Sequence, residues 1–293
     1  MAGATEWLRD LDDLVAGLER DWSLRVGEAF GGGTEALVAR ATLDDGTAAV
    51  LKLLVPRVGG DAETGTEAAV LGLTGGDACA RLLRSDLDRG ALLMERLGPS
   101  LHDLALPFDA RIDLLCDLVT RFARPAADLV LESGAEQADW LAGYVAATWE
   151  SLGRPCHERA VQHALDCAGR RRQAHDDERA LLVHGDVHQW NTLLVPGRDA
   201  AEGAAAFRLV DPNGLRAQTE YDLGVLMRED PVDLLRGDPR DRSRRLAART
   251  GLDEVAIWEW GVVERVSTGL VCLSVGLDEG RDMLHAAEVV AGS

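Results

Sequence analysis

The 293-residue sequence predicts an α+β protein of two lobes, a small antiparallel-sheet lobe followed by a larger, mainly helical one. Three observations carry this. Apolar and polar residues alternate with period two around turn signals after Trp22, apolar residues recur at helical spacing from Leu101 onward, and Gly98-Pro99 stands between the two regimes. The expected lobes are 1–97, with a helical lead-in over about 1–20, and 98–293.

Composition narrows the class. A hydrophobic content of 46% suits a packed core rather than a disordered chain. No window approaches 18 uncharged apolar residues, so no membrane partner is expected. The opening MAGATEWLRDLDDLVAGLERDW is acidic and amphipathic without an apolar signal core, which points to a cytoplasmic protein. Five scattered cysteines form no C-x-x-C pair and read as reduced thiols. A net charge of −19 would repel a long polyanion, so nucleic acid is not an expected partner and a cationic small substrate is favoured. A monomer or weak homodimer is the expected state. Of 31 lysines and arginines only Lys52 is a lysine, which suggests a place where arginine would not serve.

In the first lobe RVGEAF, ALVARATL and TAAVLKLLVP read as strands, the last two joined by an Asp44-Asp45-Gly46 hairpin turn. Gly31, Gly32 and Gly33 stand at the other turn, where a backbone free of side chains could approach a ligand, or could simply be flexible. Lys52 lies within the apolar LKLLV: it is an outward edge residue, or an inward one whose ammonium needs a partner. The helical stretch AETGTEAAVLGL offers Glu63 and Glu67, and Glu67 is preferred because it directly precedes the run that should dock on the sheet. A lysine held by a helical glutamate beneath a glycine-rich turn is a way to grip nucleotide phosphates. ARLLRSD and GALLMERL complete the sheet, and the strand leaving at Glu95–Leu97 would offer backbone groups to a flat ring.

The helical lobe shows Leu114, Leu115, Leu118, Val119 and Phe122 on one face, then Trp140, Leu141, Tyr144, Val145 and Trp149 on another. These aromatics are read as core rather than as a ligand box. Further helices are expected over about His157–Arg172, Arg240–Arg249, Asp253–Val275 and Glu279–Val290.

Between two aliphatic runs sits LVHGDVHQWNTLLV, followed by a strand ending in Asp211. Asp186 and Asn191, five residues apart, can share one loop volume. Asn191 and Asp211 are oxygen donors that suit Mg²⁺ bound mainly through phosphates, which leaves Asp186 to orient a hydroxyl and accept its proton. His184 and His188 are four apart, but Gly185 disfavours a helix and no cysteine lies near, so they are read as loop scaffold rather than a zinc pair.

At these residues the chain resembles the aminoglycoside phosphotransferases, relatives of the protein kinases. LKLLVP, GLTGGDACARLL, GALLMERL, VDPNGLRAQTEYDLGVLMRED and VVERVSTGLVCLSVGLDEG are similar to the streptomycin 6-kinase and hydroxyurea-resistance kinase branch, over roughly residues 20–290. The resemblance implies a protein-kinase-like fold using ATP and Mg²⁺. Asp186 would be the catalytic aspartate, Asn191 and Asp211 the metal ligands, Lys52 the phosphate-binding lysine and Glu67 its partner. The backbone of Glu95 and Leu97 would hold adenine, and Gly31–Gly33 would cover the phosphates without the protein-kinase glycine spacing. Val187 replaces a common leucine, and Asp211-Pro212 stands where protein kinases have Asp-Phe-Gly. Asp222, in EYDLG, is expected to brace the catalytic loop. Glu229 and Asp230, with Trp258 and Glu259 from a later helix, are the expected substrate contacts beside Asp186. The acceptor would be a small hydroxylated molecule, streptomycin-like in preference to a neutral sugar, an amino sugar or hydroxyurea. The competing class is a non-catalytic nucleotide-binding protein of the same fold.

Overall fold

The computed structural model describes residues 2–31, 36–55 and 61–292. Along the chain come α1 (Ala2–Trp22), β1 (Leu24–Ala29), β2 (Ala36–Leu43), β3 (Ala48–Leu54), α2 (Asp61–Thr74), β4 (Leu82–Asp86) and β5 (Ala91–Glu95). They are followed by α3 (Phe108–Phe122), β6 (Glu132–Ser133), α4 (Gly134–Ser151), α5 (Glu158–Gln173), β7 (Leu181–Val183), β8 (Thr192–Leu194), β9 (Phe207–Leu209) and β10 (Leu215–Ala217). The chain closes with α6 (Glu220–Leu226), α7 (Pro231–Leu234), α8 (Arg240–Thr250), α9 (Glu254–Ser274) and α10 (Glu279–Val290).

These elements form two compact units, Met1–Ser100 with Leu193–Asn213, and Leu101–Thr192 with Gly214–Ser293. The first therefore takes back a segment that a simple division near Gly98 assigns to the second. The reason is backbone pairing. Leu209 N–H donates to Ala78 O at 2.9 Å and Ala80 N–H to Leu209 O at 2.8 Å, while Gly98 N–H donates to Leu194 O at 2.7 Å.

In the first unit an antiparallel sheet runs in the order β1-β2-β3-β5-β4. The β2–β3 hairpin closes through Asp44–Gly46, with Gly46 at φ 86° and its N–H bonded to Leu43 O at 2.9 Å. That left-handed position is why glycine stands there. Period two then divides β3 between two faces. Ala49, Leu51 and Leu53 turn to a core with Leu18 and Trp22 of α1, which Trp7, Leu11, Leu14 and Val15 extend at helical spacing. Val50 and Lys52 turn the other way, Lys52 paired in register with Val38 and Leu92.

The second unit is built on α9, whose residues are buried on nearly every side. Helix α6 crosses it closely. A Cβ at Gly224 would lie 2.2 Å from Trp260 Cβ, and one at Gly261 would lie 2.4 Å from Met227 Cβ. This contact sets Tyr221 and the turn after α6 against the middle of α9. In α3 the expected face is buried, and in α4 Leu141, Val145 and Trp149 are. Trp140 is not core: it is 59% exposed and stacks on Tyr144 with ring centroids 5.4 Å apart. It occupies the stripe beside the buried one, where neighbouring aromatics cover each other instead of the interior.

Gly224→Ala should therefore destabilise the protein by about 3 kcal/mol, the upper part of the usual overpacking range. The shift of the urea midpoint at unchanged slope measures it.

Candidate active site

In the first unit the ammonium of Lys52 is 2.7 Å from Glu67 Oε2 and also bonds Asp211 Oδ1. The lysine side chain is 11% exposed and that of Glu67 is 7%, so the charge is held almost entirely by protein. Burial pulls the ammonium down, but the Glu67 and Asp211 carboxylates outweigh it, and Lys52 stays charged above its ordinary pKa. Asp211 itself has φ 64°, a left-handed backbone that non-glycine residues adopt at a cost. Its side chain remains 57% exposed. Lys52, Glu67 and Asp211 line a slot whose other walls are mostly apolar, from Phe30, Val38, Val50, Ala80, Met94, Leu193 and Val210. Glu95, Leu97 and Gly98 complete its lining. A flat apolar group ending in anionic charge fits such a slot. Gly31 has open space beside it, while Gly32 and Gly33 lie outside the described residues.

In the second unit the segment between β7 and β8 is a tight polar loop. Asp222, within α6, accepts His184 N–H on Oδ2 and Gly185 N–H on Oδ1, both at 2.8 Å. It braces the loop, as the Tyr-Asp pattern suggests. His184 is fully buried and its Nδ1 accepts Asp186 N–H at 3.2 Å. His188 Nδ1 accepts Trp190 N–H at 3.2 Å, which fixes the tautomer so that Nε2 donates to Asp186 Oδ2 at 3.2 Å. Asn191 Nδ2 reaches Asp186 O and Oδ2, each at 3.2 Å. Two oxygen acceptors can be served only by the amide nitrogen, so the amide oxygen of Asn191 is the atom left for a cation.

Asp186 Oδ1 accepts from Arg228 Nη2. Arg228 Nη1 also reaches Glu264 Oε2 at 3.2 Å and Thr268 Oγ1 at 3.1 Å. Burial alone would push the Asp186 carboxyl up, but the Arg228 guanidinium and the His188 bond hold it well below the usual carboxylate range. Neither Arg228 nor Glu264 stands out in the sequence. The available signal is charge inside apolar helical runs, VLMRED and VVERVSTG, which marks buried residues that need partners.

The expected substrate contacts divide. Glu229 is 8% exposed and its Oε2 has no hydrogen-bond partner among the described residues. Asp230 is taken by Arg111. Glu259 is held by Arg170 and Arg171 of α5, and Trp258 lies under the Arg240 guanidinium, 4.5 Å from the ring centroid. None of their contacts places Glu259 or Trp258 with Asp186. Helical geometry explains this, because Glu259 is five residues before Glu264 and so about 140° around α9 from it.

The fold is that of the protein-kinase-like small-molecule kinases. A choline kinase from Streptococcus pneumoniae superposes with a TM-score of 0.65 at 13% identity, over 97% of this chain and 99% of that one. Residues 22–269 match the model of the aminoglycoside/hydroxyurea antibiotic resistance kinases, and the chain belongs to that family. It is 33% identical over 225 residues to the hydroxyurea phosphotransferase of Kitasatospora aureofaciens, covering 76% of this chain and 62% of that protein. It is 29% identical over 265 residues to the streptomycin 6-kinase of Streptomyces glaucescens, covering 87% and 81% respectively. Among the described residues no helix is long and apolar enough to cross a membrane.

Asp222 generates a pH prediction. Burial pushes its carboxyl up to about 7 from 3.8, while the Gly185 and His184 bonds pull the other way. A folded pKa above the unfolded one means that the native state binds more protons between the two values. Stability from this group is therefore full below the unfolded pKa and is lost as pH rises through the folded one. In urea titrations from about pH 5 to pH 8, the wild type should lose stability relative to Asp222→Asn up to about pH 7, then run parallel. The slope is at most about 1.4 kcal/mol per pH unit. Parallel curves throughout would show that Asp222 is already ionised at the low end.

Proposed function

We propose that this protein transfers the γ-phosphoryl group of ATP to a hydroxyl of a small molecule, with Mg²⁺ as the metal. A streptomycin-like acceptor bearing a cation is favoured over a neutral sugar, an amino sugar or hydroxyurea. The observation that carries the reading is the placement of the lone lysine. Its ammonium is held by Glu67 and Asp211 in the lining of a mostly apolar slot.

The slot takes adenine, with the backbone of Glu95 and Leu97 holding the ring. Glu67 fixes the Lys52 ammonium from behind, so that its charge is presented to phosphate oxygens instead of wandering into solvent. Gly31–Gly33 would cover the phosphates. Asp211 and Asn191 each offer an oxygen of the kind that a hard cation takes. Asp211 has an exposed carboxylate, and the Asn191 amide is turned so that its oxygen is free. Such a cation neutralises charge on the transferring phosphate. Asp186 receives the acceptor: with its charge held by Arg228, His188 and Asn191, it orients the hydroxyl and takes its proton late in transfer, as a loose transition state requires. Glu229 favours the cationic acceptor, since a buried carboxylate oxygen without a partner is stabilised by an ammonium or guanidinium. Asp230, Trp258 and Glu259 are engaged elsewhere and support this reading less. Both named relatives act on small molecules that their names specify, hydroxyurea and streptomycin, and these are the first two acceptors to try.

The test incubates purified protein with ATP and Mg²⁺ against streptomycin, other aminoglycosides, hydroxyurea, glucosamine and simple sugars, each read by mass for the gain of one phosphate. Streptomycin should gain it. Transfer to a neutral sugar alone would replace the acceptor, and no transfer with no ATP binding would remove the kinase reading. Lys52→Arg should lower turnover about 100-fold, because a planar fork displaces the phosphate contact by the order of an ångström. Asp211→Ala should do at least as much. Wild-type turnover in Lys52→Arg would show that the lone lysine has no part in the chemistry.

A further inference from the structure

Asp186 is not alone with its counter-ion. The guanidinium of Arg228 lies between two carboxylates, bonding Asp186 Oδ1 through Nη2 and Glu264 Oε2 through Nη1 at 3.2 Å. Its side chain is 13% exposed and that of Glu264 is 6%. We propose that Arg228 and Glu264 are positioning residues for phosphoryl transfer, a clamp in which Glu264 fixes the guanidinium and limits how much of it Asp186 receives. This rests on the reading of Asp186 as the group that handles the acceptor hydroxyl.

Both ends of the clamp are anchored. Glu264 Oε1 accepts Tyr221 Oη–H at 2.7 Å, and Tyr221 Oη in turn accepts Gln137 Nε2–H at 3.0 Å. The α9 end of Arg228 is thereby tied to α6 and α4. Its backbone is held too: Arg265 Nη2 donates to Met227 O at 2.7 Å, and Arg242 Nη1 donates to Glu229 O. Because the guanidinium is a planar fork, fixing Nη1 and the backbone leaves Nη2 little freedom, and the position of Asp186 Oδ1 follows.

The charge count matters as much as the geometry. One guanidinium serving Asp186 alone would bind it through both oxygens, a bidentate pair that ties up the carboxylate. Here the second nitrogen is spent on Glu264 and Thr268, so Arg228 takes only Oδ1. Oδ2 is left to His188 and Asn191, and the Asp186 side chain stays 32% exposed. With both carboxylates ionised, the clamp carries a formal charge of −1. That residual charge faces the acceptor hydroxyl. Arg228 thus holds Asp186 without cancelling it, and Glu264 is the reason.

A purely structural ion pair would affect stability and leave turnover alone. The test measures kcat and KM for ATP and streptomycin in Arg228→Met, Arg228→Lys and Glu264→Gln, with urea unfolding of each. Arg228→Met should lower kcat about 100-fold while KM for ATP stays within about threefold. Arg228→Lys should recover about tenfold of that loss, because an ammonium can meet one carboxylate but not bridge two. Glu264→Gln, nearly isosteric, should lower kcat about tenfold in protein that still folds. Wild-type kcat in folded Arg228→Met, or equal loss in the lysine and methionine variants, would overturn the proposal. If the wild type transfers phosphate to no acceptor, the kinase reading fails first and the proposed role of the clamp in turnover falls with it.

Discussion

A cation held between two carboxylates is the arrangement on which the polar residues of each unit depend. In the first unit it is Lys52 between Glu67 and Asp211, and in the second it is Arg228 between Asp186 and Glu264. Neither cation could be buried alone, since an unpaired charge away from water costs several kcal/mol. Neither carboxylate pair could sit together without its cation, because like charges at that range raise each other's pKa. Each triad therefore holds its members where a single pair would leave slack. The surplus negative charge of each triad is also what a metal or an acceptor hydroxyl would meet.

The scaffold around these triads is correspondingly exact in its backbone. Asp222 spends both carboxylate oxygens on two consecutive backbone N–H groups, His184 and Gly185, so the residues before Asp186 cannot drift. Close crossing of α6 and α9 at Gly224 and Gly261 brings Tyr221 to Glu264. Backbone strain is found at Asp211 and Asp230, both with positive φ, and each carries a carboxylate bound to a buried cation. Strain of this kind persists where surrounding bonds over-determine it. At Asp211 it coincides with the residue proposed to hold the metal.

Much of this was legible in the chain because it is local. The Asp44–Gly46 turn fixes the β2–β3 register, and period two then places Lys52 on the face opposite Leu51 and Leu53. The spacing of Asp186 and Asn191 lets one loop hold both, and their direct bond is short-range. What was not legible is long-range. Arg228 meets Asp186 across 42 residues and Glu264 across 36, and no pattern along the chain announces either pairing. An acidic residue near the site in sequence is equally ambiguous: Glu229 and Asp230 are adjacent, yet one keeps a free oxygen and the other is consumed by Arg111. Glu259 shares a helix with Glu264 but points to α5, because the helix turns its side chains through 100° per residue. Trp140 departs from the expected core for a related cause, since an aromatic at the margin of an apolar stripe can stack on its neighbour and remain outside.

The most direct measurement is a crystal structure of the protein with Mg²⁺ and a non-hydrolysable ATP analogue. The account predicts the adenine in the apolar slot against Glu95 and Leu97, the metal on Asp211, and the Lys52 ammonium on the phosphates with its Glu67 bond retained. A nucleotide bound elsewhere, or phosphates that leave Lys52 on Asp211 and untouched, would contradict it.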